Sequence, residues 1–182
     1  MASLMDRLRS GAILVGDGAW GTQLMARGLE PGESPEAVNL SNPSALVEIA
    51  TLYVDAGADL MTTNTFGASP LNLERYGLAE MTEQINRAAV AALKPVVTGR
   101  AYISGSVGPS SAMVKPYGDT DPETMADAFH RQIGALIEAG ADLICVETMI
   151  DLTEARLAVE AVRARSADIP IIATMTLSLI HI

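Results

Sequence analysis

Cysteine is nearly absent: Cys145 is the only one in 182 residues. An internal disulfide is therefore excluded, and a cytoplasmic setting is the default expectation. Basic residues are also scarce. Twelve Lys and Arg face twenty-two Asp and Glu, a formal net charge of −10. Nucleic acid and anionic membrane both require a basic surface, so neither is expected as a partner. No apolar run approaches the roughly 20 residues needed to cross a bilayer. The first ten residues mix Asp6 with Arg7 and Arg9 and lack the apolar stretch of a secretory signal. No Gly-x-Gly-x-x-Gly follows the first apolar run, so a dinucleotide-binding sheet has no support. The only lysines are Lys94 and Lys115, and neither ends a predicted strand. This counts against an aldolase of the Schiff-base type.

What is present is a core-forming composition, 49% apolar, and a repeated phrase. Ala56-Gly57-Ala58-Asp59-Leu60 returns as Ala139-Gly140-Ala141-Asp142-Leu143. Each copy follows a helical pattern and precedes a short apolar run ending in polar residues. Helix, Gly stop, buried strand and polar strand end form the repeating unit of a parallel α/β protein. Active sites in such proteins lie where the strands finish. The copies are 83 residues apart, which fits two βα units of roughly 40 residues each in a regular barrel.

Periodicity predicts five strands: 12–15, 60–63, 102–107, 143–146 and 170–176. Helices are predicted over 1–9, from Asn42-Pro43 to Gly57, over 69–76 and 78–93, from Asp121-Pro122 to Gly140, and over 151–165. Residues 110–121 have no periodicity and read as a loop over the strand ends. The strands are apolar throughout, as in a parallel sheet buried on both faces. Two architectures fit: a doubly wound open sheet, or part of a (β/α)₈ TIM barrel, which takes about 250 residues when complete.

The strand ends carry Asp17, Thr63, Asn64, Ser106, Glu147, Thr174 and Thr176. Asp17 and Glu147 end otherwise apolar strands, where a bare carboxylate is costly unless it meets a cation or donors. A substrate ammonium would satisfy both. Gly16, Gly18, Gly105 and Gly108 would let backbone N–H groups approach a bound carboxylate. The pattern suggests a pocket for a zwitterion such as an amino acid. Asp17 between two glycines equally suits a turn, and Asn64 between two threonines equally suits backbone satisfaction. Trp20 either flanks the pocket or packs. His130 reads as surface or packing, and Cys145 as a small core residue.

At these residues the chain resembles the homocysteine S-methyltransferase family. That family includes the homocysteine-binding module of cobalamin-dependent methionine synthase, betaine–homocysteine methyltransferase and the S-methylmethionine-using enzymes. The matching segments are Asp17-Gly18-Ala19-Trp20-Gly21-Thr22, Asn39-Leu40-Ser41-Asn42-Pro43, Ala56–Leu60 through Thr63-Asn64-Thr65-Phe66, Gly105-Ser106-Val107-Gly108-Pro109, and Val146-Glu147-Thr148. They run in order from about residue 10 to residue 176. The resemblance implies a (β/α)₈ barrel that moves a methyl group onto the sulfur of homocysteine, giving methionine. It implies that Asp17 and Glu147 hold the substrate's amino group. It places Gly18 and Ser106 near the carboxylate, and Asn64 and Thr65 along the pocket wall.

The resemblance also implies a zinc ion held by three cysteines, which lowers the pKa of the substrate thiol. Those cysteines belong to later strands and are not in this chain, and Cys145 is not at a matching position. The expectation is therefore a barrel truncated after about the fifth strand, with no catalytic or metal-ligating residue of its own, inactive alone. Residues 1–176 read as the first part of a homocysteine-binding domain. Residues 177–182 read as a non-native tail, because Leu177-Ser178-Leu179-Ile180-His181-Ile182 matches a translated sequencing adapter. The methyl donor stays open, with cobalamin or folate acting through other domains among the possibilities. Two alternatives stand beside this reading: a non-catalytic amino-acid-binding fragment, and a TIM-barrel aldolase or isomerase.

Overall fold

The computed structural model describes residues 2–177, so the proposed tail, apart from Leu177, lies outside the described residues. The helices are α1 (Leu4–Arg9), α2 (Gly21–Met25), α3 (Val38–Ser41), α4 (Pro43–Asp55), α5 (Pro70–Leu73), α6 (Thr82–Val97), α7 (Pro122–Ala139) and α8 (Leu152–Arg165). The strands are β1 (Leu60–Thr62), β2 (Tyr102–Val107), β3 (Leu143–Met149) and β4 (Ile171–Met175). They form one parallel sheet in the order β1-β2-β3-β4. Helices α4, α6, α7 and α8 pack side by side in chain order, with α4 against β1, α6 and α7 against β2, and α8 against β3 and β4.

Local chemistry explains the helix bounds. Pro43 opens α4 and Pro122 opens α7, where the missing N–H would be unpaired in any case. Asp151 caps α8 by accepting from the Glu154 N–H. Gly57 and Gly140 follow α4 and α7 with φ of +101° and +99°, a backbone that a side chain would strain. The predicted helix over 78–93 starts as a 3₁₀ turn and runs on through Pro95 to Val97.

The repeated phrase is a structural clamp. The Asp59 carboxylate accepts the Val15 N–H at 3.1 Å, and the Asp59 N–H returns to the Val15 carbonyl. In the second copy, Asp142 accepts the Ile103 N–H at 2.7 Å and its own N–H returns to the Ile103 carbonyl. Asp59 thus ties the start of β1 to the extended segment before it, and Asp142 ties the start of β3 to β2.

The expected first strand over 12–15 is not one. Residues 15–17 run beside β1 through a single parallel bridge, Gly16 to Leu60, and the Asp17 N–H donates to the Leu60 carbonyl. The Asp59 carboxylate takes the Val15 N–H in place of a backbone carbonyl, so no ladder extends upstream, and Ile13 is 89% exposed.

The core lies between the helical layer and the sheet. Phe129, Ile133 and Leu136 of α7 meet Met61, Val107 and Ile144 of the strands. Each such side chain contributes about 1.5–3 kcal/mol by leaving water. Strand β2 is buried at every position, as a central parallel strand should be, whereas β4 is exposed along most of its length.

Candidate functional site

A cavity of about 460 Å³ opens at the C-terminal ends of the strands, lined by Asp17, Gly18, Asn64, Thr65, Ser106 and Glu147 among others. These six are the residues singled out from the sequence, and the fold brings all of them to the lining of one cavity. Thr63 and Trp20 also line it, while the expected strand-end residues Thr174 and Thr176 are exposed outside it. A larger hollow of about 550 Å³ lies at the opposite ends of the strands, beside Tyr102 and Gly140. In parallel α/β folds the chemistry belongs to the C-terminal ends, so the smaller cavity is the candidate.

The two carboxylates differ in how far the protein has already satisfied them. Asp17 accepts from Trp20 Nε1 at 2.9 Å, the Thr62 N–H at 2.9 Å and the Thr62 hydroxyl at 2.8 Å. Glu147 accepts one hydrogen bond, from the Ser106 hydroxyl. A carboxylate offers about four acceptor positions. Asp17 therefore has about one open and Glu147 about three, enough together for an ammonium with three N–H donors. Trp20 both packs and orients Asp17, which resolves the two readings of it.

Glu147 stands on an irregular stretch of backbone. The β3–β4 register shifts between Val146 and Met149, and Thr148 has φ of +61°, costly for a β-branched residue. The Thr148 N–H is held by the Thr174 hydroxyl at 3.0 Å. A bulge of this kind re-aims the side chain beside it. Here that side chain is Glu147.

Asn64 and Thr65 build the wall. Asn64 spends both amide hydrogens on the Pro35 carbonyl and on Asn39 Oδ1, and Asn39 donates back to the Asn64 carbonyl. The Thr65 hydroxyl donates to the Ser106 carbonyl at 2.7 Å, and Thr65 is fully buried. Gly18 is needed for space, because a Cβ there would sit 2.8 Å from the Tyr53 ring. Gly105 and Gly108 do not open the backbone to a ligand as expected. Their missing side chains make room for Ile144 and Phe66 instead.

Three residues of this region escaped the sequence reading. Gln132 donates to the Thr65 carbonyl at 2.7 Å and, longer, to the Ser106 carbonyl at 3.4 Å, tying two strand ends to α7. Its signal was available, since a polar residue falls within the apolar stripe of Phe129, Ile133 and Leu136. Asn39, within one of the matching segments, holds Asn64 from both sides of its amide. Glu36 is 6% exposed and accepts from the Ser34 hydroxyl and the Gly67 N–H. Nothing in its sequence context marks it.

The described residues do not suit a zinc ion. No group of three His, Cys, Asp or Glu side chains among them converges on one point. Cys145 is half-buried on the strand rather than a core residue, and burial, helped by the Glu147 charge, pushes its thiol up to about 12.

The homocysteine S-methyltransferase family model matches residues 14–180. The chain belongs to the homocysteine S-methyltransferase family. Among its relatives in that family, the methionine synthase of Mycobacterium tuberculosis (strain ATCC 25618 / H37Rv) is 34% identical over 191 aligned residues, covering 95% of this chain. The methionine synthase of Mycobacterium leprae (strain TN) is 33% identical over 161 residues, covering 81% of it. The chain spans 16% and 13% of the length of those two proteins. The metallated form of the homocysteine methyltransferase MmuM from Escherichia coli superposes with a TM-score of 0.78 at 25% identity, over 97% of this chain and 67% of that one. Its oxidized form gives 0.77, over 93% and 63%. The observed α/β fold with its four-stranded parallel sheet is thus similar to that of a homocysteine methyltransferase.

Proposed function

We propose that the cavity binds homocysteine as the acceptor of a methyl group, and that the described strands are the first part of a (β/α)₈ barrel. The carrying observation is that Asp17 and Glu147, 130 positions apart in the chain, line one cavity with acceptor positions still open. Glu147 takes most of the ammonium's hydrogen bonds, and Asp17, already fixed by Trp20 and Thr62, takes the remainder. Gly18 and Ser106 flank the carboxylate end, while Asn64 and Thr65 hold the wall. The resemblance supplies the zinc of the complete protein, whose ligands are not in this chain. This chain's part is to bind and orient the amino acid in the cytoplasm. Methyl transfer, from a donor read by other regions, belongs to the longer protein.

An aldolase of the Schiff-base type is disfavoured, because Lys94 lies in α6 and Lys115 in the loop before α7. Titration of L-homocysteine followed by calorimetry tests the proposal. Glu147→Gln should weaken binding about 10- to 100-fold, the loss of a charged hydrogen-bond acceptor, and Asp17→Asn should weaken it less. Unchanged affinity in both variants would remove the proposed anchor.

A further inference from the structure

A second cavity, of about 250 Å³, shares its wall with the first. Pro35, Glu36 and Phe66 line both. Its lining also includes Asn72, Arg75 and Tyr76, all belonging to the α5 segment and the turn after it. The homocysteine reading uses none of these three.

The charges in this second cavity are arranged in an unusual way. Glu36 is more than nine-tenths buried, yet its two oxygens meet only neutral donors, the Ser34 hydroxyl and the Gly67 N–H. No cation forms an ion pair with it among the described residues. Burying a carboxyl group without a cation is costly. Arg75 is the counterpart: it is exposed, lines the same cavity, and has no acidic partner among the described residues. Its guanidinium lies 6.0 Å from the centre of the Tyr76 ring, which steadies it at the rim. Phe66 and Tyr76 are 44% and 40% exposed, so two aromatic surfaces also face solvent here.

We infer that this second cavity is a binding site for a small apolar amino acid, separate from the homocysteine cavity. The ligand's ammonium meets Glu36, its carboxylate meets Arg75, and its side chain lies against Phe66 and Tyr76. A plain anion would face the Glu36 carboxyl group and a plain cation would face Arg75, so a zwitterion is the chemistry that suits both. The volume suits a ligand of amino-acid size. The shared wall of Pro35, Glu36 and Phe66 means that filling one cavity stiffens a surface of the other. The inference stands on the second cavity alone and does not need the homocysteine reading to hold.

Amide-resolved NMR titration of the isotope-labelled chain with L-methionine tests this site by site. Amides around Asn72–Gly77 and Gly67 should shift with saturation. In Arg75→Ala, a surface change whose fold is checked by circular dichroism, the midpoint for that group should rise about tenfold, the loss of one charge-assisted contact. Shifts around Gly18 and Thr63 should keep their midpoint. Glu147→Gln should do the reverse, losing the Gly18 group and keeping the Asn72–Gly77 group. 4-(Methylthio)butanoate, which lacks the ammonium, and 3-(methylthio)propylamine, which lacks the carboxylate, should each leave the Asn72–Gly77 group unshifted at the same concentration. No shift around Asn72–Gly77 with L-methionine, or shifts that Arg75→Ala leaves unchanged, would overturn the assignment. A failure confined to the Gly18 group would count against the homocysteine reading only.

Discussion

Cys145 illustrates how a neighbouring charge decides the reactivity of a residue. It sits two positions before Glu147, and both burial and that carboxylate hold its thiol protonated, raising it from 9.0 to about 12. At pH 8 its thiolate fraction, and with it the rate of iodoacetamide alkylation, should fall about a thousandfold below that of an unhindered thiol. Glu147→Gln should recover part of that rate. The linkage has a definite sign. A folded-state pKa above the unfolded one favours the protonated fold, so this contribution is complete below about pH 9 and is lost as pH climbs toward 12. Thermal melts across that range should show a falling midpoint, with a smaller slope in Cys145→Ala. Equal slopes in the two proteins would show that the thiol is not linked to folding. At this scale the sequence was informative about which residues gather and less so about what each does. Asp17 and Asn64 stand out from their strand-end positions, and Thr65 from the family resemblance. Their donors and acceptors are spent largely on Trp20, three residues from Asp17, and on Thr62, Asn39 and Ser106, partners set by tertiary contacts that local patterns do not encode.

At the scale of elements, the helix ends were the most legible feature, because their causes are local. Gly57→Ala and Gly140→Ala each place a Cβ on a left-handed backbone and should cost about 1–2 kcal/mol, read as a shift in the urea midpoint. The first position has open space around it and the second has only the flexible end of Lys94 nearby. The two costs should therefore be similar and purely conformational. Helices α6 and α7 are joined by Arg131, which donates to both oxygens of Glu83 at 2.6 and 3.0 Å. That guanidinium holds the Glu83 carboxyl below its usual value. A lowered carboxylate pKa stabilises the fold above the unfolded value near 4.5 and stops doing so as acid protonates it. Acid unfolding of Glu83→Gln should accordingly be shallower over that window. Strand 12–15 was misjudged because four apolar residues satisfy the strand pattern, whereas the ladder depends on which acceptor takes the Val15 N–H. Short helices α2 and α3 gave no periodic signal, being too brief to show one.

Across the whole molecule, the parallel α/β layout follows from the repeated units and was legible throughout. The flanks of the sheet were not, because burial there depends on what lies beside them. Ile13 and Val15 on one flank and Ile172, Met175 and Leu177 on the other are all exposed apolar residues. An apolar groove of about 540 Å³ runs between α1 and β4, lined by Leu8, Leu14 and Ile172. Unpaired strand edges with apolar neighbours promote association. The 182-residue chain should therefore form higher species as concentration rises in size-exclusion chromatography with light scattering. The double variant Ile13→Lys, Ile172→Lys should shift the balance toward monomer. A strictly monomeric wild-type profile at every concentration would contradict this.

The aspartate clamps have a temporal side. Asp59 reaches back to Val15 and Asp142 reaches back to Ile103, so each knot closes on polypeptide that has already been made. Synthesis proceeds from the N-terminus, and segments can organise as they emerge. The two clamped strands, β1 and β3, thus carry the means to fasten themselves to the segment before them without waiting for anything still inside the ribosome. Those two joins can be made in the order in which they are translated.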